Sequence, residues 1–143
     1  LAYFNQFVTA FKLRYPDIAV VQIGGADTDQ LTGADQIFLG KNIELVKYIL
    51  KGSLLHLDIE GGLVHLATQL GTKCVVLFGP TPASIFAYPC NVNLVAGKCE
   101  NCWFLYGEAF ACARGLDKPE CMYSLKPQIV LSRVEEELAL EEK

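Results

Sequence analysis

The sequence predicts an α/β protein built on a parallel β-sheet, and three features of the chain support this. Segments with strand character alternate with segments of helical periodicity along nearly all of its 143 residues. The run CVVLF at residues 74–78 is continuously apolar, as expected of a strand that is buried on both faces. A glycine pair at residues 61–62 lies between a short apolar strand and a helical pattern, so residues 54–82 predict a βαβ unit.

The remaining elements follow the same alternation in chain order. Strands are predicted at residues 18–23, 36–39, 54–58, 74–78 and 92–95. Helices are predicted at residues 1–13, at 42–50 with Asn42 as N-cap, over the stretch that follows the glycine pair, as one turn at 82–86, and at 127–142 with Pro127 in the first position. The polar segment 26–35 is predicted to be a loop or a poor helix. We therefore expect one Rossmann-like α/β domain over residues 1–143, with a parallel sheet of about five strands and helices on both faces.

The helix after the glycine pair is predicted from apolar spacing. Leu63, Leu66, Ala67 and Leu70 recur at the interval of one helical face, and Gly71 stands where a left-handed residue ends many helices. We expect these four apolar side chains to form the buried stripe of the helix.

The composition of the chain limits the classes of function that it can have. A hydrophobic content of 52% supports a globular core, and a net charge of −4 argues against a nucleic-acid-binding surface. No apolar run approaches the roughly 20 residues that a membrane-spanning helix needs, so we expect no membrane span and a cytoplasmic location. The chain starts with Leu and enters a helical pattern at once, which predicts that it is part of a longer protein and that part of any active site lies elsewhere.

The turn at Gly61-Gly62 is the first candidate binding site. A helix N-terminus offers unbonded N–H groups and the positive end of the helix dipole, and glycine lets a ligand approach the backbone closely. In parallel sheets ligands lie outside the carboxyl ends of the strands, where this turn and the Gly79-Pro80-Thr81 turn are both predicted to sit. The alternative is that the glycines serve only to make tight turns.

Four of the six cysteines are the second candidate site. Cys99, Cys102, Cys112 and Cys121 give the pattern C-x2-C-x9-C-x8-C within a cysteine-rich loop at residues 97–124. Four thiolates complete a tetrahedral site for structural zinc, and a single iron fits the same ligands. Disulfides or free thiols remain open alternatives. Of the other two, Cys74 begins a buried strand and is expected to act as a small hydrophobic residue.

The segment GGLVHLATQLGTKCVVLFGPT at residues 61–81 resembles the signature of glycosyltransferase family 9, the ADP-heptose heptosyltransferases of lipopolysaccharide assembly. Members of that family typically show D-[ST]-G-x-x-H-L-A, then an apolar strand and F-G-P-T. The end of the chain, from Cys121-Met122 through the C-terminal helix, also resembles the family's C-terminal end. The resemblance implies the nucleotide-sugar-binding half of a GT-B enzyme, which transfers its sugar with inversion and needs no metal for the chemistry.

The resemblance also assigns provisional donor-binding roles by position. Gly61 and Gly62 would lie against the diphosphate, and His65 falls on the motif histidine, for which a purely structural hydrogen-bonding role is the alternative. Gly79, Pro80 and Thr81 would form a second loop over the site, with Thr81 donating to a phosphate or capping the next turn. No catalytic residue is expected in this chain. The catalytic carboxylate and the acceptor site would belong to an absent N-terminal domain.

One departure from the family pattern concerns the residues before the glycine. Glu60-Gly61 replaces the family's Asp-Ser/Thr, so a carboxylate remains and a hydroxyl is lost. Glu60 is therefore expected to contact sugar hydroxyls. Asp58 is a second candidate carboxylate, for which a structural capping role is the alternative.

The resemblance leaves two candidates for the acceptor of the sugar. The E-G-G-L-V-H-L-A version, together with four cysteines, is similar to the autotransporter heptosyltransferases, which carry an iron held by four cysteines. The acceptor would then be an adhesin hydroxyl rather than lipopolysaccharide, and the enzyme could associate peripherally with the inner membrane. Two other functions stay open: a non-catalytic, metal-stapled interaction module, and another GT-B relative such as a sugar-nucleotide epimerase.

Overall fold

The chain alternates helices and strands as predicted, and the computed structural model describes residues 1–96, 102, 112 and 114–141. The strands are β1 (Val21–Gly24), β2 (Gln36–Leu39), β3 (His56–Ile59), β4 (Cys74–Phe78) and β5 (Val92–Val95). The helices are α1 (Ala2–Arg14), α2 (Ile43–Lys51), α3 (Gly62–Gln69), α4 (Ala83–Phe86), α5 (Glu120–Tyr123) and α6 (Pro127–Glu141). Of these elements, only the short helix α5 has no counterpart among the predictions.

Every strand pair is parallel, which confirms the α/β class. β1 pairs with β2 in one sheet, and β3, β4 and β5 pair in that order in a second sheet. The described strands thus form two hydrogen-bonded sheets rather than one continuous sheet of five. Sequence patterns indicate which segments are strands, but the neighbour of each strand is set by tertiary packing, which the patterns do not contain.

The chain divides into two compact units. One contains Leu1–Gly52 and Lys126–Lys143, and the other contains Ser53–Leu125. Within the described part of the chain, no helix has the length and apolar character needed to cross a membrane.

The first unit holds a core between α1 and α6. Phe7, Val8 and Phe11 of α1 are buried. Val134 of α6 is 3% exposed, and Val130 and Leu138 are buried on the same face. Burial of each such side chain contributes about 1.5–3 kcal/mol of transfer free energy. The contact between α1 and α6 therefore ties the end of the chain to its beginning.

The start of β1 lies later than the apolar run at residues 18–23 predicts. The Val20 N–H donates to Oδ2 of Asp35 at 2.7 Å instead of to a strand neighbour, and Lys12 donates to the same oxygen at 2.9 Å. The Val20 hydrogen bond, followed by that of Lys12, holds the pKa of the Asp35 carboxyl below its ordinary value. A buried Gln22 bonds Asp29 and Leu31 and so fixes the polar loop that precedes β2.

The second unit is organised around β4, whose five residues are all buried. α3 packs against β3 and β4, with Val64 and Ala67 as its buried residues. Ala67 is buried as predicted, whereas Leu63, Leu66 and Leu70 are half-buried and Val64 was not predicted. Asn91 accepts a hydrogen bond from the Cys74 N–H and donates to the Thr68 hydroxyl at 2.8 Å, a polar contact that the apolar pattern does not report.

Candidate functional site

The N-terminus of α3 lies directly after the carboxyl end of β3. The Glu60 N–H donates to the Leu77 carbonyl at 3.0 Å and so continues the β3–β4 ladder by one residue. Gly61 is the N-cap residue, and its carbonyl accepts from the N–H groups of Val64 and His65. Among the described residues, no side chain caps this helix and no acidic residue occupies its first turn. The first turn therefore keeps unbonded N–H groups at the positive end of the helix dipole.

The two glycines of this turn are not needed for backbone conformation or packing. Gly61 has φ 168° and ψ −174°, which is extended backbone that any residue adopts. A Cβ added at Gly62 would meet nothing within 4 Å, and one at Gly61 would have its nearest neighbour at 3.9 Å. The tight-turn interpretation thus finds no support here. What the glycines leave is open space over the N–H groups of the helix.

His65 lies between a carboxylate and a phenol. Its Nε2 is 3.3 Å from Oε1 of Glu60, and its Nδ1 is 3.0 Å from the Tyr88 hydroxyl. The rings of His65 and Tyr88 meet edge to face, with centroids 5.5 Å apart. The Glu60 side chain is 11% exposed, whereas that of His65 is 37% exposed. His65 thus has the partners of a structural hydrogen bonder while one side of its ring stays open to solvent.

Tyr88 was not predicted as a site residue. It lies 23 residues beyond His65 in the turn between α4 and β5, and the apolar and glycine patterns carry no information about it. The only sequence signal is its place before Pro89, which favours a turn there. That signal gives no reason to place a tyrosine beside the motif histidine.

In the turn after β4, side-chain packing explains why residue 79 is a glycine. A Cβ at Gly79 would lie 2.6 Å from Sδ of Met122, so the α5 side chain fills the space beside this residue. Thr81 is buried, and Pro82 rather than Thr81 is the N-cap residue of α4. The structure therefore gives Thr81 no capping role. Pro80 lies between these residues and is half-buried.

The contacts of Asp58 fit a structural role, which was the alternative to ligand binding. Its Oδ1 accepts a hydrogen bond from the Ile59 N–H at 2.8 Å, and its Oδ2 is 3.5 Å from Nε2 of His56. The two side chains are two residues apart on β3 and therefore share one face of the strand. Asp58 thus faces the largely buried His56, whereas Glu60 faces His65.

The cysteine prediction falls partly outside the described residues. Cys99 and most of the loop at residues 97–124 are not among them. Three members of the set are described, Cys102, Cys112 and Cys121, and Cys121 is buried in α5. Within the described residues, no group of three or more metal-ligating side chains is found. The four-cysteine metal site therefore stays a prediction.

Cys74 behaves as the sequence predicts for a small buried residue. It is fully buried on β4, with its sulfur 3.8 Å from the Thr68 hydroxyl. Burial raises the pKa of the Cys74 thiol, so the side chain stays protonated and unreactive.

Comparison of the chain with known protein families, with curated proteins and with solved structures found no match.

Proposed function

We propose that this chain is the nucleotide-sugar-binding part of a glycosyltransferase and that it holds the donor's diphosphate at the N-terminus of α3. The observation that carries the proposal is the uncapped first turn of α3, with open space over Gly62 at the carboxyl end of β3. Backbone N–H groups and the helix dipole together favour a phosphate at such a position. A Rossmann-like fold belongs to the same proposal.

The electrostatics around α3 indicate what kind of anion site this would be. Residues 53–72 contain no Lys or Arg, so within this stretch the phosphate charge would be met by backbone N–H groups. A helix N-terminus contributes typically 0.3–1 kcal/mol per interaction with a charged group. Because the stretch supplies no cationic side chain, we expect this chain alone to bind a nucleoside diphosphate weakly, with Kd on the order of 0.1–1 mM, which corresponds to roughly 4–5.5 kcal/mol.

The resemblance of residues 61–81 to glycosyltransferase family 9 supplies the class of reaction. The donor would be an ADP-sugar, a heptose or a related sugar, transferred with inversion to a lipopolysaccharide or protein hydroxyl. Glu60 is proposed to accept hydrogen bonds from sugar hydroxyls, and Thr81 and Gly79 to belong to the second loop. The acceptor site and the catalytic base would come from a second domain. A structural zinc or iron at the four cysteines remains part of the proposal.

A titration of the chain tests the donor site. Calorimetry and thermal unfolding are measured with ADP, UDP, ADP-heptose and adenosine, so that base, diphosphate and sugar are varied separately. Ligand at about twentyfold its Kd stabilises the folded protein by about 1.8 kcal/mol. We expect ADP and ADP-heptose to bind and adenosine to bind far more weakly.

The variant Glu60→Gln separates the sugar from the diphosphate. It keeps the size of the side chain and removes its charge, so it should weaken ADP-heptose binding without weakening ADP binding. A chain that no nucleotide stabilises, but that contains stoichiometric metal, would instead be the metal-stapled interaction module.

A further inference from the structure

The backbone of Tyr88 is fixed on two sides. Its carbonyl accepts a hydrogen bond from the Asn91 N–H at 3.0 Å, which closes a turn with Pro89 in the second position. The same carbonyl accepts from Nδ2 of Asn93 on β5 at 2.9 Å. These two contacts hold the residue that faces His65 from the β4–β5 connection.

The proton positions on His65 follow from its two neighbours. A carboxylate oxygen 3.3 Å from Nε2 favours the tautomer that carries hydrogen on Nε2, because an unprotonated nitrogen there would face a negative charge. Nδ1 then has a free lone pair and accepts the O–H of Tyr88 at 3.0 Å. The contact at Nε2 thus determines that Nδ1 is the hydrogen-bond acceptor of the ring.

Glu60 has a competing partner. It directly precedes the N-cap residue Gly61, and acidic side chains at that end of a helix are attracted to the unbonded N–H groups. No side chain in the described part of the chain caps α3, and the Glu60 carboxylate lies against His65. A carboxylate on the helix end would occupy the N–H groups that a phosphate needs.

We infer that Tyr88 is a positioning residue that, through His65, keeps the Glu60 carboxylate off the N–H groups of α3. The tyrosine hydroxyl donates to Nδ1 and holds the ring plane of His65, so that Nε2–H faces Glu60. The first turn of α3 stays open for an anionic ligand as a result. This inference rests on the proposed function, because it concerns access to the same diphosphate site.

A double-mutant cycle with ADP as the probe tests the inference. ADP carries no sugar, so a contact between Glu60 and a donor sugar does not enter. Tyr88→Phe keeps the ring and removes the hydroxyl, and we expect it to weaken ADP binding about 3- to 10-fold, the range of one hydrogen bond. In the Glu60→Gln background the same change should have little effect, since the charged competitor is gone. Equal losses in both backgrounds, or no loss in either, would overturn the inference.

A matched control and a second measurement keep the test independent of nucleotide binding. Tyr48→Phe removes a hydroxyl from a side chain that is 79% exposed and should leave ADP affinity unchanged. The chain has two histidines, so the ring nitrogen signals of His65 are readily assigned by NMR with a His65→Asn variant.

For the neutral ring of His65 we expect the Nε2–H tautomer. The Nδ1 signal should move downfield in Tyr88→Phe as its hydrogen bond is lost. A proton on Nδ1, or a signal that does not move, would contradict the positioning role. Absence of ADP binding by the wild-type chain would instead contradict the proposed function and leave the NMR result to decide the role of Tyr88.

Discussion

Replacement of Gly62 by alanine tests whether this glycine is needed for ligand access or for folding. Gly62 is the first residue of α3, and a Cβ there would enter open space. Alanine should therefore stabilise the fold by about 0.4–1 kcal/mol, chiefly because it restricts the unfolded chain. For a chain of this length that free energy corresponds to a rise in Tm of about 1–4 °C.

The same substitution should impair binding. A methyl group at residue 62 would project into the space over the N–H groups and keep a phosphate from approaching the backbone. Loss of one hydrogen bond to a charged group costs about 1.5–3 kcal/mol, so ADP should bind about 10- to 100-fold more weakly. We therefore expect Gly62→Ala to raise the stability, measured by thermal unfolding, and to lower the affinity for ADP, measured by calorimetry.

Gly52→Ala provides the matched control. Gly52 has φ −89° and ψ −2°, and a Cβ there would make only ordinary contacts, the nearest at 3.5 Å. It belongs to the unit that does not contain α3. We expect a small gain in stability and unchanged ADP affinity. If Gly62→Ala binds ADP as tightly as the wild type, close approach of the ligand to this residue is refuted.

Three further perturbations test other parts of the account. Gly79→Ala should destabilise by about 1 kcal/mol in a chemical unfolding experiment, because the flexible Met122 side chain must shift away from the new methyl group; an unchanged midpoint would contradict that packing. Asp35→Asn should flatten the acid limb of the stability profile, measured by thermal unfolding between pH 7 and about pH 2.5. The Asp35 pKa is lowered chiefly by the Val20 N–H, so its contribution is present above the unfolded pKa of about 3.9 and is lost as the pH falls through the lower folded pKa; a limb as steep as that of the wild type would contradict it. Elemental analysis should find one zinc or iron per chain, lost in Cys121→Ser; wild-type protein without metal would contradict the four-cysteine site.

Local chemistry was largely predictable from the sequence. The apolar run of β4 is buried along its whole length, as its composition requires. Asn42 caps α2 by accepting from the Leu45 N–H at 2.9 Å, and Gly71 adopts φ +84° at the end of α3. Each of these features depends on residues that are neighbours in the chain, so it can be read from the sequence.

Contacts between distant residues were not predictable in the same way. Tyr88 meets His65, and Met122 meets Gly79, across separations that no periodicity or spacing connects. The buried face of α3 was predicted in part, since Ala67 is buried and the three leucines are half-buried. The hydrogen bond from Asn91 to Thr68 on the same helix joins residues 23 apart in the chain, so no local pattern reports it.

The central claim is that the N–H groups at the start of α3 bind a diphosphate, and amide NMR during an ADP titration tests it most directly. We expect saturable shifts of the Gly61, Gly62 and Leu63 amide signals, each displaced as its N–H group gains an anionic acceptor. Inorganic diphosphate should move the same three signals, and adenosine should not. Binding of ADP that leaves these three signals in place, or no binding at all, would contradict the account.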